Sequence, residues 1–374
     1  MRTRKVGLTG LGVLLVILLS SGLSWGQLIC TGTVFNDVNA TAMPPAFCGF
    51  IEQFAALGIT GGCSATPPLY CPDSPVTRAQ MAIFLTTVIG PASTTTVNCP
   101  GQSLQAAVDA ANPGDIINVT GICSENVTIG NRKRNLTLDG QNVATINGPD
   151  SGIATLIVRG TNIVIRNFEI TGGASGIFLT QGAEVVIGNN NIHNTTRHGI
   201  STEQASLAVI KNNNIHDNPI DGIFVSDHST ALIGADATND TSPSPNTIQN
   251  NGNRGITIAR SSNARIVSNI ISGNTTDGIV VGRVSQADIA SNTINSNGGN
   301  GINVSQNSGI ELGEDNPVDF WGQPNITTVN NVNFGIVCTL GGYVRGHLGS
   351  LNQINGVAGQ TSIAGNCPNN LVTP

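Results

Sequence analysis

The 374-residue chain predicts a mostly β fold, a solenoid of stacked coils with 23 residues in the regular turn. Three observations carry that expectation. A glycine followed by isoleucine recurs at Gly176, Gly199, Gly222, Gly255, Gly278 and Gly301, at intervals of 23, 23, 33, 23 and 23 residues, so one structural unit repeats and one copy holds ten extra residues. Apolar residues recur one, three, nine, eleven and sixteen positions after that glycine: Ile200, Thr202, Ala208, Ile210 and Ile215 in one unit, and Ile279, Val281, Ala287, Ile289 and Ile294 in another. Alternation with period two means strands, and the polar breaks between them are too short for helices, so each unit reads as three short strands. Asparagine stands nine residues before each glycine, at Asn167, Asn190, Asn213, Asn246, Asn269 and Asn292, and a second line of Asn218, Asn251, Asn274 and Asn297 stands four before. Asparagine tolerates left-handed backbone, and its amide can bond the same residue one coil away, so both lines read as stacked turns.

Taken in chain order, residues 1–26 read as a leader. Arg2, Arg4 and Lys5 precede the apolar run Leu11 to Leu19, and Ser24-Trp25-Gly26 supplies small residues for cleavage before Gln27. That run is too short to span a bilayer and no later stretch is longer, so a secreted chain, extracellular or at the cell surface, with no membrane span after maturation is expected. Losing the three basic residues takes the formal charge from −6 to −9, which disfavours nucleic acid and anionic membrane as partners.

Residues 27–89 form a separate small module. Ile51, Phe54, Ala55 and Leu57 mark an amphipathic helix, and Pro75 and Thr77 open a second at Arg78. Eight cysteines in an exported chain suggest disulfides, and their clustering pairs Cys30 with Cys48, Cys63 with Cys71, Cys99 with Cys123 and Cys338 with Cys367. No CxxC occurs, so no metal site is expected from them. About sixty residues make a marginal core, for which such staples compensate. The runs Phe35-Asn-Asp-Val38, Phe50-Ile51, Leu57-Gly-Ile-Thr60 and Val76 to Leu85 resemble an S-layer homology module. That resemblance implies attachment to a wall glycan and singles out Asp37 and Arg78, which on a bare physical reading equally cap and tie the two helices. Such modules usually work in threes, so with a single copy anchoring either needs self-association or is lost. Residues 90–96, with Pro91 and Ser93-Thr-Thr-Thr96, read as a linker.

The solenoid is expected over residues 97–325, with 326–374 as a C-terminal cap holding Phe320, Trp321 and Phe334 at or near its core. Leu104, Ala107, Val108 and Ala111 form one stripe of a short helix stopped by Asn112-Pro113-Gly114, a plug for the open end of the stack. Three strands per turn, coils about 4.8 Å apart and few charges describe a parallel β-helix with right-handed crossovers. The repeats, with Ser103 to Asp115 followed by Ile117, Val119 and Glu125, resemble the pectate-lyase-like right-handed β-helix superfamily, which implies an extracellular polysaccharide as partner or substrate.

Stacking turns equal offsets into columns. Just before the glycine the column reads Ser175, His198, Asp221, Arg254, Asp277 and Asn300; five residues after, Gln181, Gln204, Asp227, Arg260, Arg283 and Gln306. Between them the outward residues are Phe178, Ser201, Phe224, Thr257, Val280 and Asn303. Phe178 and Phe224 offer faces for sugar rings, with Asp227, Arg260 and Arg283 as polar margin. In the first column His198, Asp221, Arg254 and Asp277 suit a base beside a stabilising guanidinium, and equally a ladder of opposite charges with no substrate. The superfamily's motifs do not transfer: Arg197-His-Gly199 lacks a paired Asp-Asp, and Asp217-Asn-Pro-Ile220 is not Asp-Pro-His. A calcium cofactor would have only Asp236 and Asp240 of the insertion, which reads better as a flexible bulge. Two function classes follow: a β-helix that binds, and in the enzymatic version cleaves or epimerises, polysaccharide, and an inert structural or adhesive protein displayed by the N-terminal module.

Overall fold

A computed structural model describes residues 31–39, 41, 45–56, 60, 62–75, 78, 81, 92–235, 243–313, 331–347 and 369–372. The leader, Cys30, Leu57, the insertion carboxylates Asp236 and Asp240, Phe320, Trp321 and Cys367 lie outside them. The chain divides into two compact units, Met1–Pro91 and Ala92–Pro374.

In the first unit, helix α1 (Pro45–Ala56) packs Cys48 and Ile51 on Phe35, Val38 and Tyr70. Phe54, expected on the buried stripe, is instead 44% exposed. Glu52 takes the inward position, because its carboxylate accepts from the backbone N–H groups of Thr31, Gly32 and Thr33 and so ties the preceding loop to the helix. Cys63 and Cys71 close the loop that carries the short antiparallel pair Ser64–Ala65 and Pro68–Leu69. Cys48 is also disulfide-bonded. Arg78 and Met81 are helical, and the remaining residues of the expected second helix fall outside the described set.

The second unit begins earlier than its sequence suggests. Thr94–Asn98, whose first three residues read as linker, form a strand paired in parallel with Ile116–Cys123. Threonine is β-branched and suits a half-buried strand, so the Thr run extends the ladder where a loop was expected. Helix α2 (Leu104–Ala110) then plugs the stack with Leu104 and Val108, both fully buried, and with Ala107 and Ala111 against the same core. Ser103 caps it, accepting from Ala106 N–H, while the Glu125 carboxylate accepts from Leu104 and Gln105. Cys99–Cys123 joins the flanking segments.

Beyond the plug the repeat unit is three strands per coil. His198–Thr202, Leu207–Lys211 and Asn214–His216 make up one such coil. First strands stack into a nine-stranded parallel sheet running from Val127–Ile129 to Ile336–Thr339. Second and third strands form two further ladders, joined at the plugged end by Thr137–Gly148 and Ile163–Gly172, which bend from one ladder into the other. The five apolar positions of the unit are the core: Ile200, Thr202, Ala208, Ile210 and Ile215 are all 0% exposed. The ten-residue excess falls between Thr230–Ile233 and Thr247–Gln249, and register resumes beyond it. The solenoid continues past residue 325, since Ile336–Thr339 and Tyr343–His347 add a further coil at Gly335-Ile336. An interval of 34 residues from the preceding coil hides that copy in the sequence.

The repeat glycine is required by space. None of the six has a positive φ, and a Cβ on Gly255 would lie 2.6 Å from Ile271 Cγ2, 2.7 Å from the Gly278 carbonyl and 2.9 Å from the Asn274 amide. Only hydrogen lets the first strand pass this close to the third. Both asparagine lines are continuous. Asn246 N–H and Nδ2 donate to Asn269 Oδ1, and Asn269 Nδ2 donates on to Asn292 Oδ1 and back to the Ile233 carbonyl. Asn218, Asn251, Asn274, Asn297 and Asn331 repeat the pattern four residues before the glycine. Asn167 differs: it has a left-handed φ of 63° and bonds Asp139, because its coil is one of the bent pair.

Replacing Asn269 by alanine strands several buried backbone and amide groups, so it should cost on the order of 3 kcal/mol in urea unfolding. Gly255→Ala should cost roughly 1–3 kcal/mol through overpacking, whereas Asn263→Ala, on the solvent face, should leave the midpoint unmoved.

Candidate functional site

The first-strand sheet presents Phe178, Ser201, Phe224, Thr257, Val280 and Asn303 outward in strict register. On one margin stands the column from Ser175 to Asn300. On the other the chain turns through two successive left-handed residues in each coil: Gln204-Ala205, Asp227-His228, Arg260-Ser261, Arg283-Val284 and Gln306-Asn307. This margin is thus a corner, held in a conformation that costs non-glycine residues about 1–2 kcal/mol each, and it throws Arg260 and Arg283 out to solvent.

A cleft of about 330 Å³ opens on this face, lined by Phe224, Arg254, Thr257, Arg283, Asn303 and Gln306, and ends at Thr339 and Leu340 of the additional coil. Neither Arg254 nor Arg283 makes an ion pair with a carboxylate among the described residues, while Arg166, Arg260, Arg265 and Arg345 each do. Arg254 lies in the field of the buried Asp221 carboxyl without a side-chain ion pair, and with Arg283, one aromatic ring and two amides it gives the cleft groups that can hold a planar anion.

The four residues expected as a catalytic column do stack on successive coils. Asp221 N–H points at His198 Nδ1 at 3.4 Å, and Arg254 N–H donates to Asp221 Oδ1 at 3.2 Å. Their environments assign them different work. The His198 ring lies on Phe224, centroids 4.9 Å apart and planes 17° apart, and is 6% exposed. Burial first, and the Arg197 charge second, push its pKa down to about 4, so the ring is neutral at physiological pH and serves as a flat backing for Phe224. Asp221 is 1% exposed, and burial raises its pKa against the opposing pull of Arg254. Asp277 Oδ1 accepts from the Asn300 backbone and side chain, and Oδ2 accepts from Asn303, so both oxygens are engaged. The described residues lining the cleft include no carboxylate and no imidazole.

The expected sugar-binding residues separate. Phe224 and Arg283 meet in the cleft, and Arg254 of the first column joins them. Phe178 stands two strands away, roughly 10 Å along the stack. Arg260 pairs with Asp227 at 3.4 Å on the rim. In the N-terminal unit Asp37 accepts from Tyr70 and Cys71 N–H. Burial works to raise its pKa, and those donors outweigh it, so the carboxyl sits below its usual range. Arg78 is exposed. The cleft residues that sequence reasoning missed, Thr339 and Leu340, carried one usable signal, the Gly335-Ile336 pair with Asn331 four residues before it. Among the described residues no cluster of His, Cys, Asp or Glu suits a metal ion, and no helix is long and apolar enough to cross a membrane.

Residues 115–240 and 233–316, more than half of the chain, match the family described as right handed beta helix region. None of the curated proteins matches the sequence. Several solved structures are similar at low identity. Pectate lyase Pel9A is 14% identical over 75% of this chain and 82% of its own, with a TM-score of 0.46. The A-module of mannuronan C-5 epimerase AlgE6 from Azotobacter vinelandii is 15% identical over 79% and 93%, with a TM-score of 0.45. The enzymatically active domain of tailspike protein 2 from bacteriophage CBA120 is 16% identical over 72% of this chain, which spans 44% of that one, with a TM-score of 0.50.

The neutral state of His198 has a consequence for stability. Its folded pKa of about 4 lies below the ordinary 6.5, so the unfolded chain takes up the proton first as pH falls. The contribution is complete above pH 6.5 and lost as pH drops towards 4, on the order of 3 kcal/mol in all. Imidazole NMR should show His198 unprotonated at pH 6, and His198→Phe should flatten the difference in unfolding free energy between neutral pH and pH 4.

Proposed function

Because the chain belongs to the right-handed β-helix family, we propose that its solenoid binds an acidic polysaccharide outside the cell, along the first-strand sheet. The observation that carries this reading is the convergence of Phe224 with Arg254 and Arg283 in one cleft on an otherwise acidic protein. A uronate residue fits it. The carboxylate meets the two guanidinium groups, a pyranose face lies on the phenylalanine backed by His198, and Asn303 and Gln306 meet hydroxyls. The left-handed corners repeat the polar margin from coil to coil, so the surface suits an extended chain.

Binding without turnover is the form of this reading that the side chains favour. A lyase or epimerase must remove a proton beside the carboxylate, and a hydrolase must protonate the leaving oxygen. Asp221 is sealed from solvent, both oxygens of Asp277 already accept from amides, and no described residue lining the cleft is a conventional base or acid. Secretion and attachment to a cell wall through residues 27–89 belong to the same proposal. They rest on the leader and on the S-layer-homology resemblance, with exposed Arg78 as the residue available to a wall sugar, because Asp37 is consumed in holding its own loop.

Calorimetry of the mature chain with oligogalacturonate, oligomannuronate and oligoguluronate is the direct test. At least one should bind, Arg254→Ala and Arg283→Ala should each weaken it roughly tenfold or more, and no unsaturated or reducing ends should accumulate. Unchanged affinity in both variants would remove the cleft from consideration, and accumulating ends would make the protein an enzyme.

A further inference from the structure

A second site lies on a different face of the stack. Tyr343, Gly309 and Gln286 stand at the same position on three consecutive second strands, in register. The Tyr343 side chain does not point away from the sheet. Its hydroxyl donates to Gln286 Oε1 at 3.0 Å, two strands away, so the ring lies across the strand between them. That strand has glycine at the crossing, and a Cβ there would sit 2.1 Å from Tyr343 Cζ and 2.5 Å from Cε2. Gly309 therefore clears the ground on which the ring rests. The residue is still 40% exposed, so one ring face meets the sheet and the other meets solvent.

Around this platform is a cleft of about 360 Å³, walled by Asn263, Gln286, Asp288, Glu311 and Arg345. The size is at the small end of the roughly 300–1,000 Å³ typical of ligand sites, room for one or two sugar rings. Its charges cancel in pairs: Arg265 with Asp288 at 3.5 Å and Arg345 with Glu311 at 2.6 Å. A flat apolar face bounded by amides and neutralised charges does not select an anion. It complements a pyranose, whose C–H face packs on an aromatic ring while its edge hydroxyls both donate and accept.

We propose that the second-strand sheet carries a subsite for a neutral oligosaccharide, with the tethered Tyr343 ring as its platform. This inference is independent of the acidic-glycan reading, since the two clefts share no residue. It makes the solenoid a two-faced glycan binder, one face cationic and one neutral.

The chain contains only two tyrosines, Tyr70 and Tyr343, which permits a site-resolved test. The mature protein labelled in its tyrosine rings is titrated with millimolar cellohexaose, laminarihexaose and mannohexaose, and separately with hexagalacturonate. With at least one neutral hexaose the Tyr343 ring signals should move in a saturable way while those of Tyr70 stay in place. Gly309→Ala keeps the tyrosine but fills the ground beneath it, and should weaken that binding at least tenfold, with native circular dichroism confirming the fold. Tyr343→Phe keeps the ring and loses the tether, and should weaken it severalfold. The proposal is overturned if no neutral hexaose moves Tyr343, if hexagalacturonate moves it equally well, or if Gly309→Ala binds as the wild type does.

Discussion

Continuity of hydrogen bonding along the stack is the constraint on which everything else in this molecule rests. A parallel coil exposes peptide groups on both of its flat sides, and only another coil in register satisfies them. Here the side chains obey the same rule. From Asn213 to Asn292, and from Asn251 to Asn331, each Oδ1 takes a backbone and an amide donor from the asparagine one coil before. In a third line Ser229, Ser262, Ser285 and Ser308 each accept the N–H of the preceding coil's serine, and Ser206 accepts that of Ala183, at a turn that is otherwise sealed from water. A buried polar group left alone costs about 1–3 kcal/mol, so a slip of one residue would be penalised at every corner at once. The lines therefore lock register as well as adding stability.

Locked register is what makes surface chemistry available. Because each coil repeats the last, a side chain's neighbour is decided by its offset from the glycine, and residues far apart in the chain meet within one strand spacing. Arg254, Arg283 and Phe224 come from three coils to one cleft. Asn300 and Asn303 reach Asp277, and the neighbouring coils bury Asp221, in the same way. The architecture places the groups and also selects which remain free for a ligand. Left-handed residues recur at other turns of the coil as well, at Asn189, Asn212, Ser268 and Ser291 and at Asn194, Asp217, Asn250 and Ser296, and the paired corners are the ones that border the proposed glycan surface.

The two ends show why such a stack stops. At the first coil Leu104 and Val108 of α2 bury the open core, and Glu125 and Ser103 satisfy the helix N–H groups that would otherwise be stranded. At the far end the repeat runs on to Tyr343–His347, and Asn369–Val372 pairs in parallel with that strand. The additional coil adds surface as well as length, since it supplies Thr339 and Leu340 to one cleft and Tyr343 to the other.

Much of this was legible in the amino-acid order, for a definite reason. A repeated unit reports its own geometry: the Gly-Ile pairs, the period-two apolar positions and the asparagine lines recur because each coil faces the same packing problem, so strands, core and columns could be read off directly. The cap helix announced itself by an apolar stripe and a stop signal, both local. What the order of residues did not contain is the state of individual side chains. His198, Asp221 and Asp277 read as chemically competent because their types and spacing suit catalysis, and only three-dimensional packing decides that one is a neutral backing ring, one is sealed and one is saturated. The Thr94–Thr96 strand was missed because short polar runs are ambiguous without a partner strand, and the Tyr343 platform because it depends on a glycine one coil away leaving room. Repetition makes position a local property, whereas accessibility and protonation belong to the assembled surroundings, and those exist only once the coils have stacked.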